Sequence, residues 1–326
     1  MHTTNHPNAD TTPGWITTHP VSVEDRIAMT AMRAVVEPNK GRLRGIAARG
    51  AFDGIMERVT APGGVISYRF ETIGGVPGWW CQPDGARPDA SMLHLHGGWF
   101  NWGSAEAFRN LIGHIASRVG VAAFVPDYRL APEHPFPAAL DDVRACYFGL
   151  VQQGFSRLAV TGDSAGGNLA LGLLAFLSTK RPASKTMPVA AVALSPVTDL
   201  ALAGASWDTR AADDPYFVRA QAAELVRSYL NDTSPTDPMA SPLYAELAGL
   251  PPIRVQVGED EVLLDDSFRF VERAIAAGVD AKLDVWEGMA HGFLSGVGRL
   301  RASTEALNLL GDFLTERLTT AQNRQE

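Results

Sequence analysis

The stretch Leu158-Ala159-Val160-Thr161-Gly162-Asp163-Ser164-Ala165-Gly166-Gly167 constrains this chain more than any other. A short β-type apolar run leads into a turn with glycine two places either side of a serine, and Asn168-Leu169-Ala170-Leu171-Gly172-Leu173-Leu174 follows as a helix-compatible stretch. A strand that turns this sharply into a helix holds the serine in a strained conformation, so the neighbours at minus two and plus two must be nearly free of side chain. The serine then stands at a helix N-terminus, where unpaired backbone N–H groups face the reacting atoms. A plain glycine-rich turn with Ser164 as N-cap has the same local pattern. The rest of the chain decides between them.

Around this turn, strands and helices alternate. Strands are expected at Ser91 to Leu95, Ala122 to Val125, Arg157 to Thr161, Val189 to Leu194, Ile253 to Val257 and Lys282 to Trp286. The intervening helices run from Ala105 to Val119, Pro137 to Val151, Ser164 to Ser178 and Leu263 to Ala277, with a closing helix from Thr304 to Leu318. Ahead of them, Val65 to Thr72 and Val76 to Gln82 form a hairpin about Gly74-Gly75. Alternation of this kind predicts a largely parallel sheet with helices on both faces and ligands at the carboxyl ends of its strands. With 326 residues, 46% of them apolar, one large core is within reach.

Ser195 to Leu250 breaks the rhythm. It is too long for an ordinary connection and carries its own helical segment, Val218 to Leu230, bounded by Asp213-Asp214-Pro215 and Ser234-Pro235. An insertion at that end of the sheet overhangs the site, and it pairs with the amphipathic pieces Val23 to Val36 and Leu43 to Arg58 as a cap. The expected organisation is a mobile polar tail over 1–20, an N-terminal cap segment over 21–60, a core over 61–197 and 240–326, and a cap insertion over 198–239.

The formal net charge of −8 argues against nucleic acid or an anionic membrane as partner. Cys81 and Cys146 match no metal or redox spacing and read as reduced structural residues. No secretory signal opens the chain and no apolar run is long enough for a membrane span, so a cytoplasmic protein is expected. A small molecule is the expected partner, with a homodimer as the candidate assembly and with no metal or cofactor.

An activated Ser164 needs a base, an orienting acid and donors for a developing oxyanion. His96-Gly97-Gly98-Trp99 follows a strand and precedes a helix, the context of an H-G-G-G type oxyanion loop, and the N–H of Ala165 is the complementary donor. For the base, His291 alone among eight histidines combines a late position with a strand-end loop. Its neutral imidazole can take the serine proton and return it. For the acid, Glu259, Asp260, Glu261, Asp265 and Asp266 crowd one strand end, and the residues alone leave the choice among them open.

These stretches resemble the bacterial hormone-sensitive-lipase-like esterases, an α/β-hydrolase family, from about residue 20 onward. The motifs are His96-Gly97-Gly98-Trp99, Gly162-Asp163-Ser164-Ala165-Gly166, His291-Gly292-Phe293 and the run Asp127-Tyr128-Arg129-Leu130-Ala131-Pro132-Glu133-His134-Pro135-Phe136-Pro137. The resemblance implies an α/β-hydrolase fold, with an eight-stranded sheet, mostly parallel with one antiparallel strand, flanked by helices, and a helical cap. It implies cofactor-free hydrolysis of short to medium acyl esters. By family position Gly98 and Trp99 donate to the oxyanion while Gly97 shapes the turn. Trp99 stands where the family has glycine, a strained choice if that position needs a positive φ. The family's D-P-L-x-D reads Glu261-Val262-Leu263-Leu264-Asp265 here. The triad carboxylate therefore falls on Glu261, with Asp260 as the alternative and Asp265 as a supporting hydrogen-bonding group. The run from Asp127 to Pro137 is expected to brace a loop beneath the site.

Ser164 would then attack an ester carbonyl, with Trp99, Phe100 and Trp102 walling an apolar pocket. Amide or lactone hydrolysis by the same triad, and a non-catalytic receptor on the same scaffold, are the rival readings.

Overall fold

Unbroken apolar runs make strands that are buried on both faces, as in a parallel sheet covered by helices. Every residue of Ala90–Leu95 and of Ala190–Leu194 is buried. The computed structural model describes residues 13–64, 66–179 and 187–320. Most of the expected tail, residues 1–12, and Val65 of the expected hairpin lie outside the described residues. Among the described residues, one nine-stranded sheet contains β1 (Ile16–His19), β2 (Ile66–Ile73), β3 (Val76–Pro83), β4 (Ala90–Leu95), β5 (Ala122–Pro126), β6 (Arg157–Asp163), β7 (Ala190–Leu194), β8 (Ile253–Gly258) and β9 (Ala281–Trp286). The spatial order is β1-β9-β8-β7-β6-β4-β5-β3-β2. Only β3 runs against its neighbours, antiparallel to β2 and β5.

Nine strands replace the expected eight. The additional one, β1, lies inside the stretch expected to be a mobile tail, and it pairs in parallel with β9 from Ile16↔Leu283 to His19↔Trp286. Its β-branched residues suit a strand, but four residues amid polar sequence offer no period to read. His19 anchors it: the ring stacks on Trp286 at 4.0 Å, and Nε2 lies 2.7 Å from Asp284 Oδ1.

The helices are α1 (Val23–Val36), α2 (Arg49–Val59), α3 (Ala105–Val119), α4 (Ala138–Gln152), α5 (Ala165–Thr179), α6 (Ser206–Thr209), α7 (Arg219–Leu230), α8 (Leu264–Ala276) and α9 (Arg301–Thr320). Phe108 and Ile112 of α3 join Leu310 and Leu314 of α9 in one apolar cluster, while Leu140 and Val143 of α4 join Leu169 and Leu173 of α5 in another. Full burial of each such side chain is worth roughly 1.5–3 kcal/mol, so these layers make the framework on which the polar site is set. Local signals mark the helix ends. Ser104 Oγ accepts from Ala107 N at 3.2 Å at the start of α3, and Gly120 closes that helix with a left-handed φ of 74°.

The N-terminal segment and the insertion between β7 and β8 touch each other. Gly41 N donates to Tyr216 O at 3.0 Å, Gln221 Nε2 donates to Leu43 O at 2.7 Å, and Arg44 pairs with Glu224. No helix among the described residues is long and apolar enough to cross a membrane.

Candidate active site

Four loops at the carboxyl ends of β4, β6, β8 and β9 carry the site residues singled out above. Ser164 leaves β6 with φ of 54° and opens α5. A left-handed non-glycine residue costs about 1–3 kcal/mol and persists only when its surroundings hold it. Here Ser164 N donates to Leu194 O at 2.8 Å, and its carbonyl accepts from Asn168 N at 3.1 Å and Val197 N at 3.2 Å. The spacing of the motif has a steric cause. A methyl group on Gly166 would stand 1.9 Å from Leu95 O, so the start of α5 lies directly against the end of β4.

The loop after β4 is over-determined in the same way. Gly98 has φ of 122°, and Trp99 and Phe100 both adopt left-handed values, 53° and 60°. The positive φ that would strain a tryptophan at position 99 is therefore present. Each carbonyl of this turn finds a donor: Gly98 O takes Trp102 N at 2.9 Å, Trp99 O takes Asn101 Nδ2 at 2.6 Å, Phe100 O takes Ala131 N at 2.9 Å, and Asn101 O takes Arg49 Nε at 2.8 Å. Among the described residues the N–H groups of Gly98 and Trp99 have no acceptor, and Ala165 N stands in the unpaired first turn of α5. Asp163 ties this loop to the serine, because its Oδ1 accepts from Gly97 N at 3.1 Å. His96 is fully buried, and burial pulls its imidazole down to about 4 against the opposing hydrogen bond to Gly97 O. It stays neutral and shapes the loop. Tyr128 stacks on it and donates its hydroxyl to His96 O at 2.7 Å.

The Asp127 to Pro137 run braces this loop. Asp127 Oδ1 accepts from Ala105 N at 2.6 Å, Arg129 forks onto Asp142, and Glu133 pairs with Arg49 at 2.7 Å. Ala131-Pro132 and Phe136-Pro137 are cis.

His291, in the loop after β9, has its Nδ1 2.6 Å from Glu261 Oε2. Glu261 is completely buried, and its other oxygen accepts from Gly258 N at 3.1 Å. A carboxylate only accepts, so Nδ1 carries the hydrogen and Nε2 presents its lone pair. Burial opposes charge on His291, but the Glu261 charge and hydrogen bond, with the charges of Asp214 and Asp163, outweigh it and raise the pKa above the ordinary imidazole value. Asp260 is turned elsewhere, accepting from Arg33 Nη2 of α1 at 2.6 Å. Asp265 supports the acid loop, with Oδ2 accepting from Ser206 N at 3.0 Å while Ser206 Oγ donates to Val262 O at 2.6 Å.

The three aromatic residues expected to wall a pocket divide. Phe100 stacks face to face on Tyr229 at 3.8 Å, and Trp102 Nε1 donates to Gly45 O at 2.8 Å, so both are taken up in packing the loop against α7 and the N-terminal segment. Trp99 lies edge-on to Phe217 at 5.4 Å, and Phe217 in turn lies edge-on to His291 at 5.0 Å. Sequence reasoning missed Phe217, Asp214 and Trp207, whose ring lies 6.3 Å from that of Trp99. The signal beside Asp214 and Phe217, Asp213-Asp214-Pro215, marks only a helix boundary.

A model of the α/β hydrolase fold family matches residues 92–295. An acetyl-hydrolase of Streptomyces hygroscopicus is 39% identical over 233 residues, 71% of this chain and 75% of the relative. An esterase of Acinetobacter venetianus is 37% identical over 227 residues, 69% of this chain and 74% of the relative. A crystal structure of an esterase from the bacterial hormone-sensitive lipase family superposes with a TM-score of 0.82 at 37% identity, covering 91% of this chain and 99% of that one. A hormone-sensitive lipase from a metagenome library gives a TM-score of 0.83 at 31% identity, covering 89% and 98%. The chain belongs to the α/β-hydrolase family, and within it to the esterases of the bacterial hormone-sensitive-lipase type.

Proposed function

We propose that this carboxylesterase hydrolyses short to medium acyl esters with Ser164 as nucleophile, His291 as base and Glu261 as the orienting acid. Ser164 Oγ attacks the ester carbonyl while its proton passes to His291 Nε2, and Gly98, Trp99 and Ala165 N–H groups receive the oxyanion. Collapse breaks the bond to the alcohol, which leaves with the proton from His291, and an acyl-serine remains. Water, deprotonated by the same imidazole, attacks that acyl group and releases the acid. The observation that carries this reading is the 2.6 Å contact of His291 Nδ1 with the fully buried Glu261 carboxylate. It fixes the tautomer that leaves Nε2 basic.

Residues 21–60 and 198–239 act together as the cap, and Trp99 with Phe217 crowds the space beside His291. That crowding favours acetyl to about hexanoyl esters over long chains, and the relative named acetyl-hydrolase points to the same short end. Intact-mass labelling with a small phosphonate ester, followed by peptide mapping, tests the reading. One adduct on Ser164, lost in His291→Ala, is expected. A folded protein that takes no adduct would turn the reading toward a binding protein on this scaffold.

A further inference from the structure

Asp214 lies in the insertion and is fully buried. Its Oδ2 accepts from the N–H of Val262, the residue after Glu261, at 3.0 Å. Its Oδ1 accepts from Tyr216 N at 2.7 Å and Phe217 N at 2.9 Å, closing the turn that presents the Phe217 ring. A buried carboxylate is costly unless its oxygens are satisfied, and this one is satisfied by backbone N–H groups drawn from both sides of the site. We infer that Asp214 is a positioning residue for ester hydrolysis: from the insertion, one carboxylate holds both the loop that carries Glu261 and the turn that lays Phe217 against His291.

The inference rests on the Ser164, His291 and Glu261 reading. Asp214 touches neither substrate nor reacting atoms and acts through its two neighbours. The charged groups facing His291 are Glu261 from the acid loop, Asp163 from the end of β6 and Asp214 from the insertion, with the neutral Phe217 ring beside them. Around Asp214, Lys40 Nζ donates to the Asp214 main-chain carbonyl, Arg33 donates to Asp213 O, and Arg210 pairs with Asp213 and Glu259. An amide at position 214 has one accepting oxygen. Its NH2 group must then meet either Val262 N–H or the 216–217 turn donor to donor, and one of three negative charges near His291 is lost.

The test is steady-state hydrolysis of p-nitrophenyl acetate by the full chain across about pH 5 to 9, with thermal melts, for wild type, Asp214→Asn and Asp214→Glu. In Asp214→Asn, kcat is expected to fall about 10- to 100-fold through misplacement of the imidazole, and the acid limb of kcat/KM to move to lower pH. Asp214→Glu keeps the charge, so its limb stays at the wild-type pH while kcat falls because the added methylene displaces both contacts. A folded Asp214→Asn whose limb and kcat match wild type, or whose melting temperature falls while the limb stays put, overturns the inference. Should that variant not fold, Phe217→Leu leaves Asp214 and its bond to Val262 in place. Lowered kcat at an unchanged melting temperature then supports the inference, and unchanged kcat overturns it. A wild type that takes no phosphonate on Ser164 would sink the triad reading itself. That result is distinct from an active wild type whose profile Asp214→Asn leaves unmoved.

Discussion

Gly97 sits where the loop after β4 meets Ser164: a methyl group there would stand 2.3 Å from Asp163 Oδ2 and 3.2 Å from Ser164 Cβ. Gly97→Ala must displace either this loop or the Asp163 carboxylate that ties it to the serine, and loss of one well-aimed donor in the proposed oxyanion site typically costs about 10²–10³ in rate. The expected outcome is a fall in kcat of about that size with KM shifted far less, read from steady-state kinetics. In the proposed mechanism the working form of His291 is the neutral imidazole, and its pKa is raised above the ordinary 6.5. Activity is then expected to climb with pH through a midpoint above that value, and a kcat/KM profile with its acid limb below pH 6.5 would count against His291 as the base. The turn at Ser164 was legible in the sequence because its motif is local and its glycine spacing has a steric cause, and the loop of His291 because it follows a readable strand. Glu261 was legible only once the acidic run was set in register with a family pattern. Asp214 was not legible, since its role comes from a contact 48 residues away.

Between elements, the contacts that hold the loop after β4 come from three separate parts of the chain. Arg49 of α2 reaches Asn101 O and Ala131 O, both at 2.8 Å, while Asn101 Nδ2 reaches Leu225 O of α7 at 3.1 Å. A guanidinium fork spans two acceptors at fixed geometry where a lysine cannot. Asp266 does similar work where α8 meets the chain after β7, with Oδ2 accepting from Thr198 N at 2.7 Å and Asp199 N at 2.9 Å. Burial, joined by the Asp199 charge and opposed by those hydrogen bonds, pushes its pKa from 3.8 to about 8. Between these values the folded protein retains a proton that the unfolded chain has given up, so stability falls as pH rises through that window and levels off above it. Asp266→Asn, neutral throughout and still able to accept both N–H bonds, should remove that slope in thermal melts taken from about pH 4 to 8. An unchanged slope would assign it to other groups. The strands and helices around these joints were readable from their apolar runs and punctuation, but the joints were not, because a side chain meeting a distant backbone leaves no periodic trace.

Across the whole molecule, β1 decides how the sheet ends. Without it β9 presents an unpaired row of backbone groups, the usual template for association between chains, and Trp286 loses the ring of His19 stacked on it. Removal of residues 1–19 should lower the melting temperature and shift the protein to larger species in size-exclusion chromatography. A truncated chain that elutes as the full chain does, with an unchanged melt, would show that β1 is dispensable. The layered α/β architecture was foreseeable from the alternation of elements, whereas this edge was not.

The pairing of β1 with β9 also sets a timetable. His19 and Asp284 are 265 positions apart, and ribosomes add about 5–20 residues per second. The first strand made in this sheet therefore waits roughly 15–50 s for the neighbour it needs. Glu261 and His291 are made in the late part of the same wait, so the triad proposed with Ser164 is likewise completed late. Closure of the sheet edge and completion of the proposed site thus fall at the same stage of synthesis.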